Sequence, residues 1–364
     1  MHIISRYNRG GTATWLNNLI TEQRSHGDQV ILLAGKVQNS ENEDDGFKKL
    51  AGIHVKNLGK NIAVVADLKA FFELRSFIKK FKPELVNTHT SKAGLLGRLA
   101  AYTILNDRPA IVHTYHGHIL YGYYGKFVTN IFSMLEKIIS YTTDVFVVSG
   151  EKVKCDLENK GIIKNKKVVV IRPGVELHKS TDHQKNIDTK NELTVGWLGR
   201  LTKIKQPQRV LELAEIFPAL QFLIGGEGEL DVELRKFSLP NVKLLGWVNP
   251  IEFWQNCDIA LLTSENEAQP ISIIEAALCS LPCIAENVGS VSDVITDGET
   301  GLLVRGFHER QAALFRLIKD PELRLRLGTN AFELASKKFS MEQFIKSHQA
   351  AYTLAITQKT NKQD

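Results

Sequence analysis

Short apolar runs alternate with longer segments of helical period along almost the whole chain. In the first half, after a strand at the N-terminus, the runs predict strands over residues 30–33, 84–88, 110–114, 144–148 and 167–171. In the second half they predict strands over 193–197, 221–224, 242–245, 258–263, 282–285 and 302–304. Many of these runs are continuous rather than alternating, as expected of parallel strands covered on both faces. Repeated βα units of this kind wind into parallel sheets, and here there are two sets of them. The polar, aperiodic stretch 178–186, between Glu176 and Glu192, reads as the linker. The expected fold is therefore α/β, with two Rossmann-like doubly wound parallel-sheet domains facing a cleft, one over 1–178 and the other over 192–339. A capping-box pattern at Ser340 and Gln343 opens a last helix, 340–358, with apolar positions at Phe344, Ala350, Tyr352 and Leu354, and 358–364 reads as a polar tail.

Length and composition agree with this division. A chain of 364 residues exceeds the size at which one core keeps growing. Its 43% hydrophobic and 24% charged residues describe an ordinary globular protein. No apolar run approaches the roughly 18 residues of a membrane span, and Met1-His2-Ile3-Ile4-Ser5 shows no signal-peptide pattern, so the expected location is the cytoplasm. Cys155, Cys257, Cys279 and Cys283 include no Cys-x-x-Cys pair, so neither disulfide nor zinc is expected. Charge is uneven: residues 1–180 carry 26 Lys+Arg against 16 Asp+Glu, a net of +10, and the remainder nets −4, which recovers the total of +6. A basic first half points to an anionic partner such as a membrane surface or a phosphorylated acceptor; nucleic acid is disfavoured because no recognition motif accompanies the charge.

Candidate chemistry gathers where strands end. Glu267 precedes a helix over 270–279 that is apolar almost all round, and Glu275 lies inside it, where an ionised carboxylate needs a polar partner. Pro270 suits the first turn of that helix, whose free amides, Ile271 among them, form an anion site. Glu275 lies about 7.5 Å further along at roughly 1.5 Å rise per residue, a reasonable spacing of a ribose from its diphosphate; a buried Arg or Lys partner is the alternative explanation. Gly199-Arg200-Leu201, with Lys205, places two cations on one βα loop, which suits a diphosphate. Gly225-Gly226-Glu227-Gly228 brings backbone close to a ligand but is not the Gly-x-Gly-x-x-Gly fingerprint. In the first half, Gly10-Gly11-Thr12 opens a helix, and His89 and His116-Gly117-His118 follow strands at their carboxyl ends.

In order along the chain, these residues resemble the family 4 retaining glycosyltransferases of GT-B fold. The resemblance runs through Gly199-Arg200-Leu201 with Lys205, Gly226-Glu227-Gly228, Leu245-Gly246-Trp247-Val248, Asp258, Ser264 and the Glu267-x7-Glu275 pair. It continues through Asn287-Val288-Gly289-Ser290 and residues 297–304, and in the first half through Gly10-Gly11, His89, Ser91-Lys92-Ala93-Gly94, His116-Gly117, Ser149 and Pro173-Gly174-Val175. It implies that Arg200 and Lys205 bind the donor diphosphate, that Glu275 holds the ribose, that Glu267 contacts the donor sugar and that His116 lies near the transferred sugar. It further implies that Gly10 and Gly11 border the phosphates and the acceptor, that the first domain takes the acceptor and the second the nucleotide sugar, and that the last helix crosses back to the first domain. The chain departs from the family at Ala268-Gln269, where Gly-Phe is common, and at Gly289-Ser290-Val291-Ser292-Asp293, where a Gly-Gly-x-x-Glu segment is common.

The expected activity is retaining transfer of a sugar from a nucleoside diphosphate sugar, UDP-linked in particular, to a glycan or lipid-linked acceptor in cell-surface polysaccharide synthesis, with no metal or other cofactor. The helical stretch 67–82, which mixes Leu68, Phe71, Phe72 and Phe77 with Lys69, Arg75, Lys79 and Lys80, is the candidate contact with an anionic membrane at its inner face. A nucleotide-sugar epimerase or hydrolase on the same donor pocket, or a non-catalytic partner subunit, are the competing readings.

Overall fold

A computed structural model of the chain describes residues 1–38, 41–59, 61–117, 126–176, 193–237 and 239–361. They form two compact units, Met1–Gly174 with Met341–Asp364, and Val175–Ser340. The proposed linker, 178–186, lies outside the described residues, as does His118.

The first unit holds seven parallel strands: β1 (His2–Ile4), β2 (Leu32–Ala34), β3 (Ile53–His54), β4 (Leu85–His89), β5 (Ala110–Tyr115), β6 (Val145–Val148) and β7 (Val168–Val170), in the order β3-β2-β1-β4-β5-β6-β7. The second holds six: β8 (Thr194–Leu198), β9 (Gln221–Gly225), β10 (Val242–Gly246), β11 (Ile259–Leu262), β12 (Cys283–Glu286) and β13 (Leu302–Val304), in the order β10-β9-β8-β11-β12-β13. Each order reverses once, between β1 and β4 and between β8 and β11. At such switch points the loops on either side diverge and leave a crevice at the carboxyl ends of the strands, where ligands bind in open α/β sheets.

Both sheets are covered on both faces. In the second unit Leu261 packs with Val195, Trp197, Phe222 and Ile284, while its neighbours Ala260 and Leu262 pack on the other side with Trp254, Ile273 and Ile274. In the first, Ile111 joins Val86, Leu74 and Leu96, and Val112 joins Trp15, Val145 and Val147 on the opposite face. This two-sided burial is why the strands read as continuous apolar runs.

Most strands end one residue later than the apolar pattern predicts, because the ladder runs past the apolar run, in β4, β5 and β12 into polar positions. His89 pairs with Ile4 and with Thr114, and Tyr115 pairs with Val148. Strand β3 is only two residues long and carries no run to detect. The last helix is Met341–Thr360, two residues beyond the expected end, because Gln358 and Lys359 are good helix formers and merely continue it. It belongs to the core of the first unit: Phe344, Ile345, Ala351 and Ala355 are buried against Trp15, Leu19 and strands β5 and β6. Tyr352 Oη accepts a 2.8 Å hydrogen bond from Asn87 Nδ2, and Asn87 Oδ1 accepts one from Thr114 Oγ1 at 2.9 Å, which sets the helix against β4 and β5. Among the described residues no helix is long and apolar enough to cross a membrane.

Candidate active site

In the second unit the loops after β8 and β9 are zipped together by backbone. Gly199 N donates to Gly225 O at 3.0 Å and Leu201 N to Glu227 O at 3.0 Å. Gly226 has φ 132°, and a Cβ there would stand 1.8 Å from Gly199 O. Only glycine permits this approach, so the Gly199 and Gly226–Gly228 motifs are two halves of one device.

Lys205 ends a short 3-10 turn, Lys203–Lys205, that is tied to the end of β11. Trp197 Nε1 donates to Thr263 Oγ1 at 2.9 Å, and that hydroxyl lies 3.0 Å from Lys205 O and 2.9 Å from Gln206 O, to which it donates. Glu265 N donates to Ile204 O at 2.9 Å. The turn is thus held across the β8/β11 switch point, and Lys205 Nζ reaches Glu267 Oε1 at 2.6 Å. Ser264 Oγ donates to the same oxygen at 2.6 Å. Glu267 is buried, and its main-chain oxygen accepts from Ser290 N at 2.9 Å, close enough to the next loop that a Cβ on Gly289 would stand 1.9 Å from it. Both side-chain bonds fall on Oε1, so Oε2 keeps its acceptor capacity for a ligand.

Glu275 sits in different surroundings. The helix is Ile271–Leu278, and Pro270, with ψ 84°, stands just outside it as the N-cap rather than in its first turn as expected. Ile271 N donates to Gln269 O at 3.0 Å, and Ile273 N and Ile274 N donate to Pro270 O, so among the described residues Ser272 N is the first-turn amide left open. No ion pair or hydrogen bond closes on the Glu275 carboxylate among the described residues. Burial pushes its pKa up to about 8, and the nearby Trp254 indole N–H only partly offsets this. That N–H closes no hydrogen bond of normal geometry, and Trp254 Nε1 is buried without a partner. Arg200 is exposed and makes no ion pair among the described residues. The amide of Gln269 and the hydroxyl of Ser290, on the two segments where the chain departs from the family pattern, are also buried without partners.

In the first unit the histidines form a chain. His2 Nε2 lies 2.9 Å from Gln23 Oε1, His2 Nδ1 lies 3.1 Å from His89 Nε2, and His89 Nδ1 lies 2.9 Å from His116 Nε2. With Gln23 presenting its carbonyl oxygen there is one consistent proton order, in which each Nε2 carries hydrogen and donates inward. His116, partly exposed at the end of β5, is then left with Nδ1 as a bare acceptor. Trp15, from the helix that Gly10 and Gly11 open, packs edge-on against its ring at 5.0 Å. Burial depresses the pKa of His116 to about 3, with the charge of His348 adding to the effect, and that of His2 also to about 3. Burial, then the charges of His116 and His2, hold His89 well below the usual range. The rings therefore stay neutral at pH 7.

The structure brings Lys205, Glu267 and Ser264 into contact; Gly199, Arg200, Gly226 and Gly228 follow the carboxyl ends of β8 and β9, Ile271 opens the helix after β11, and Glu275 lies one turn inside that helix. It buries His89 completely, in the middle of a chain rather than at a surface. Sequence reasoning missed Thr263, Trp197, Gln23 and His2. A polar residue ending an otherwise apolar strand was the available signal for Thr263; His2, inside a strand, offered none. Among the described residues no three His, Cys, Asp or Glu side chains are grouped to hold a metal ion.

Comparison with known proteins bears on this arrangement. Residues 9–179 match Glycosyltransferase Family 4, and residues 178–334 match Glycosyl transferases group 1. The UDP-Gal:alpha-D-GlcNAc-diphosphoundecaprenol alpha-1,3-galactosyltransferase of Escherichia coli is 30% identical over 275 residues, 69% of this chain and 70% of that protein. The capsular polysaccharide biosynthesis glycosyltransferase CapM of Staphylococcus aureus is 26% identical over 333 residues, 85% of this chain and 87% of that protein. Among solved structures, sucrose-phosphate synthase from Thermosynechococcus elongatus has the same fold, with a TM-score of 0.81 at 18% identity over 97% of this chain and 98% of that one. Anabaena HepE in complex with UDP and glucose follows at 0.77, with the same identity and coverage. The chain belongs to the family 4 glycosyltransferases, glycosyl transferases group 1, and is a glycosyltransferase of GT-B fold.

Proposed function

We propose that the chain transfers a hexose from a UDP-sugar, with retention at the anomeric carbon and without a metal ion, to a glycan or lipid-linked acceptor in cell-surface polysaccharide synthesis. The observation that carries this reading is the Lys205–Glu267–Ser264 contact at the β8/β11 switch point, which holds a cation and a carboxylate with one open oxygen on the loop that leads into the helix Ile271–Leu278. Arg200, Lys205 and the N-terminus of that helix stabilise the charge that develops on the leaving diphosphate, acting as preorganised groups. Glu275 accepts the ribose hydroxyls, and Glu267 Oε2 accepts a hydroxyl of the donor sugar. Gly199, Gly226 and Gly228 let the main chain approach the nucleotide, and Gly10 and Gly11 border the phosphates and the acceptor. His116 offers Nδ1 to a hydroxyl of the transferred sugar. The orphaned Gln269 amide and Ser290 hydroxyl favour a donor sugar that supplies their missing hydrogen bonds, because a buried polar group without one costs about 1–3 kcal/mol. The leaving phosphate takes the acceptor's proton on the face where the new bond forms.

The UDP donor and lipid-linked acceptor draw support from the Escherichia coli relative, whose name states both, and UDP also from the Anabaena complex. Residues 1–178 take the acceptor and 192–339 the donor, at the cytoplasmic face of a membrane, in keeping with the +10 net charge of residues 1–180. Thermal shift against UDP, GDP and ADP tests the donor. UDP at 100 times its Kd should add about 2.7 kcal/mol, or a shift of several °C, and exceed the other two. A larger shift with GDP or ADP would reassign the base. Sugar release or epimerisation as the main product, with acceptor present, would replace transfer by one of the competing activities.

A further inference from the structure

The helix Lys126–Ile139 turns its apolar side outward. At about 100° per residue, Phe127, Val128, Ile131, Met134, Leu135 and Ile138 fall within an arc of about 120°. All six are exposed, Phe127 by 77%, Met134 by 64% and Ile138 by 58%. The polar side faces the protein: Thr129 is buried, and Glu136 Oε2 accepts hydrogen bonds from Arg98 Nη2 and Tyr115 Oη, each at 2.7 Å. Arg98, on the helix Ser91–Tyr102, is fully buried, so this ion pair fixes which side points inward.

A second stripe lies on the same face of the sheet. The connections β3 to β4, β4 to β5 and β5 to β6 all run the same way across it, and right-handed crossovers then place their helices on one side. The first of these helices, Val64–Phe81, buries Ala70, Leu74 and Ile78 and exposes Val64, Val65, Leu68 and Phe72. The middle helix, Ser91–Tyr102, packs against both of its neighbours. Cations flank the stripes: Lys69 and Lys137 are exposed, and Lys166 Nζ sits 3.9 Å from the ring centroid of the exposed Tyr141.

We propose that this face of the first unit docks on an anionic lipid bilayer, with the outward side chains of the Lys126–Ile139 helix among the acyl chains and the lysines at the phosphate level. Two apolar helical stripes in one layer, flanked by positive charge, match a flat, negatively charged apolar surface. The choice of a bilayer over a protein partner rests on the reading of a lipid-linked acceptor, and the surface itself on the exposed stripes.

Flotation of the full chain with phosphatidylcholine vesicles, with and without phosphatidylglycerol, tests it. The protein should float with the anionic vesicles, less so in high salt. Ile131→Glu with Met134→Glu should lower the bound fraction at least tenfold, while the UDP thermal shift and transfer to a short-chain, water-soluble acceptor stay as in wild type. Absence of flotation, or wild-type flotation of the double variant, would overturn the proposal. A dimer in light scattering that the variant converts to monomer would instead make this face a contact between copies. A wild-type protein that fails to float yet transfers to a detergent-dispersed lipid acceptor would sink only the surface, and wild-type flotation with transfer confined to lipid-free glycans only the acceptor.

Discussion

Glu267 and Glu275 stand eight positions apart, and the fold treats their charges differently. Glu267 has a lysine and a serine on one oxygen; Glu275 has no such partner, and its pKa rises from 4.5 to about 8 through burial. Between these values the unfolded chain gives up a proton that the folded protein keeps, so the group's contribution is fully present below about pH 4.5 and is lost as pH rises toward 8. Glu275→Gln should remove that loss. Its urea midpoint is expected to exceed that of wild type at pH 8 and to match it at pH 4. Two ribose hydroxyls donating to the carboxylate favour its charged form, so UDP binding at pH 7 should release a proton, measurable by calorimetry in buffers of different ionisation enthalpy. Binding without proton release would remove the ribose role from Glu275. The histidine chain has the opposite sign: His2 and His116 stay neutral down to about pH 3, so their contribution is present above about 6.5 and is lost as pH falls below it. At this scale the sequence showed that Glu275 needed a partner. It did not show that Lys205 and Glu267 would meet, because 62 positions separate them and only the β8/β11 junction closes that gap.

Among the elements, the last helix is integral to the unit that begins the chain. Phe344 is buried and packs edge-on against Trp15 with ring centroids 5.0 Å apart. Phe344→Ala should cost about 3–5 kcal/mol in urea unfolding, the range for emptying an aromatic site in a core. A loss under about 1 kcal/mol would mean that the helix is only laid on the surface. Strands were legible because two-sided burial makes them continuous apolar runs, and they were misjudged where pairing outlasts apolarity, at His89, Tyr115 and Gly246. Periodicity also reveals that a helix has two faces without saying which one is covered. The stretch 67–82 drew attention as the membrane contact because its lysines and phenylalanines are interleaved. The longer exposed apolar stripe belongs to Lys126–Ile139, where the Arg98–Glu136 pair, invisible in a linear reading, decides the orientation.

For the molecule as a whole, two parallel sheets each reverse their strand order once, and Gly199, Arg200, Lys205 and Glu267 lie on the loops after β8 and β11, beside one of those reversals. The GT-B architecture was legible from the alternation of runs and from the Glu267–Glu275 segment. Donor identity was not, because it depends on what fills the space around Gln269 and Ser290. The central claim is that the cations beside the β8/β11 junction drive departure of a nucleoside diphosphate with retention of the sugar's configuration. It is tested most directly by the anomeric configuration of the product and the turnover at saturating UDP-sugar, compared between wild type and Lys205→Ala. The account predicts a linkage of the donor's own configuration, formed about 100-fold or more slowly by the variant, as on losing one oxyanion donor. An inverted linkage, or wild-type turnover in Lys205→Ala, would contradict it.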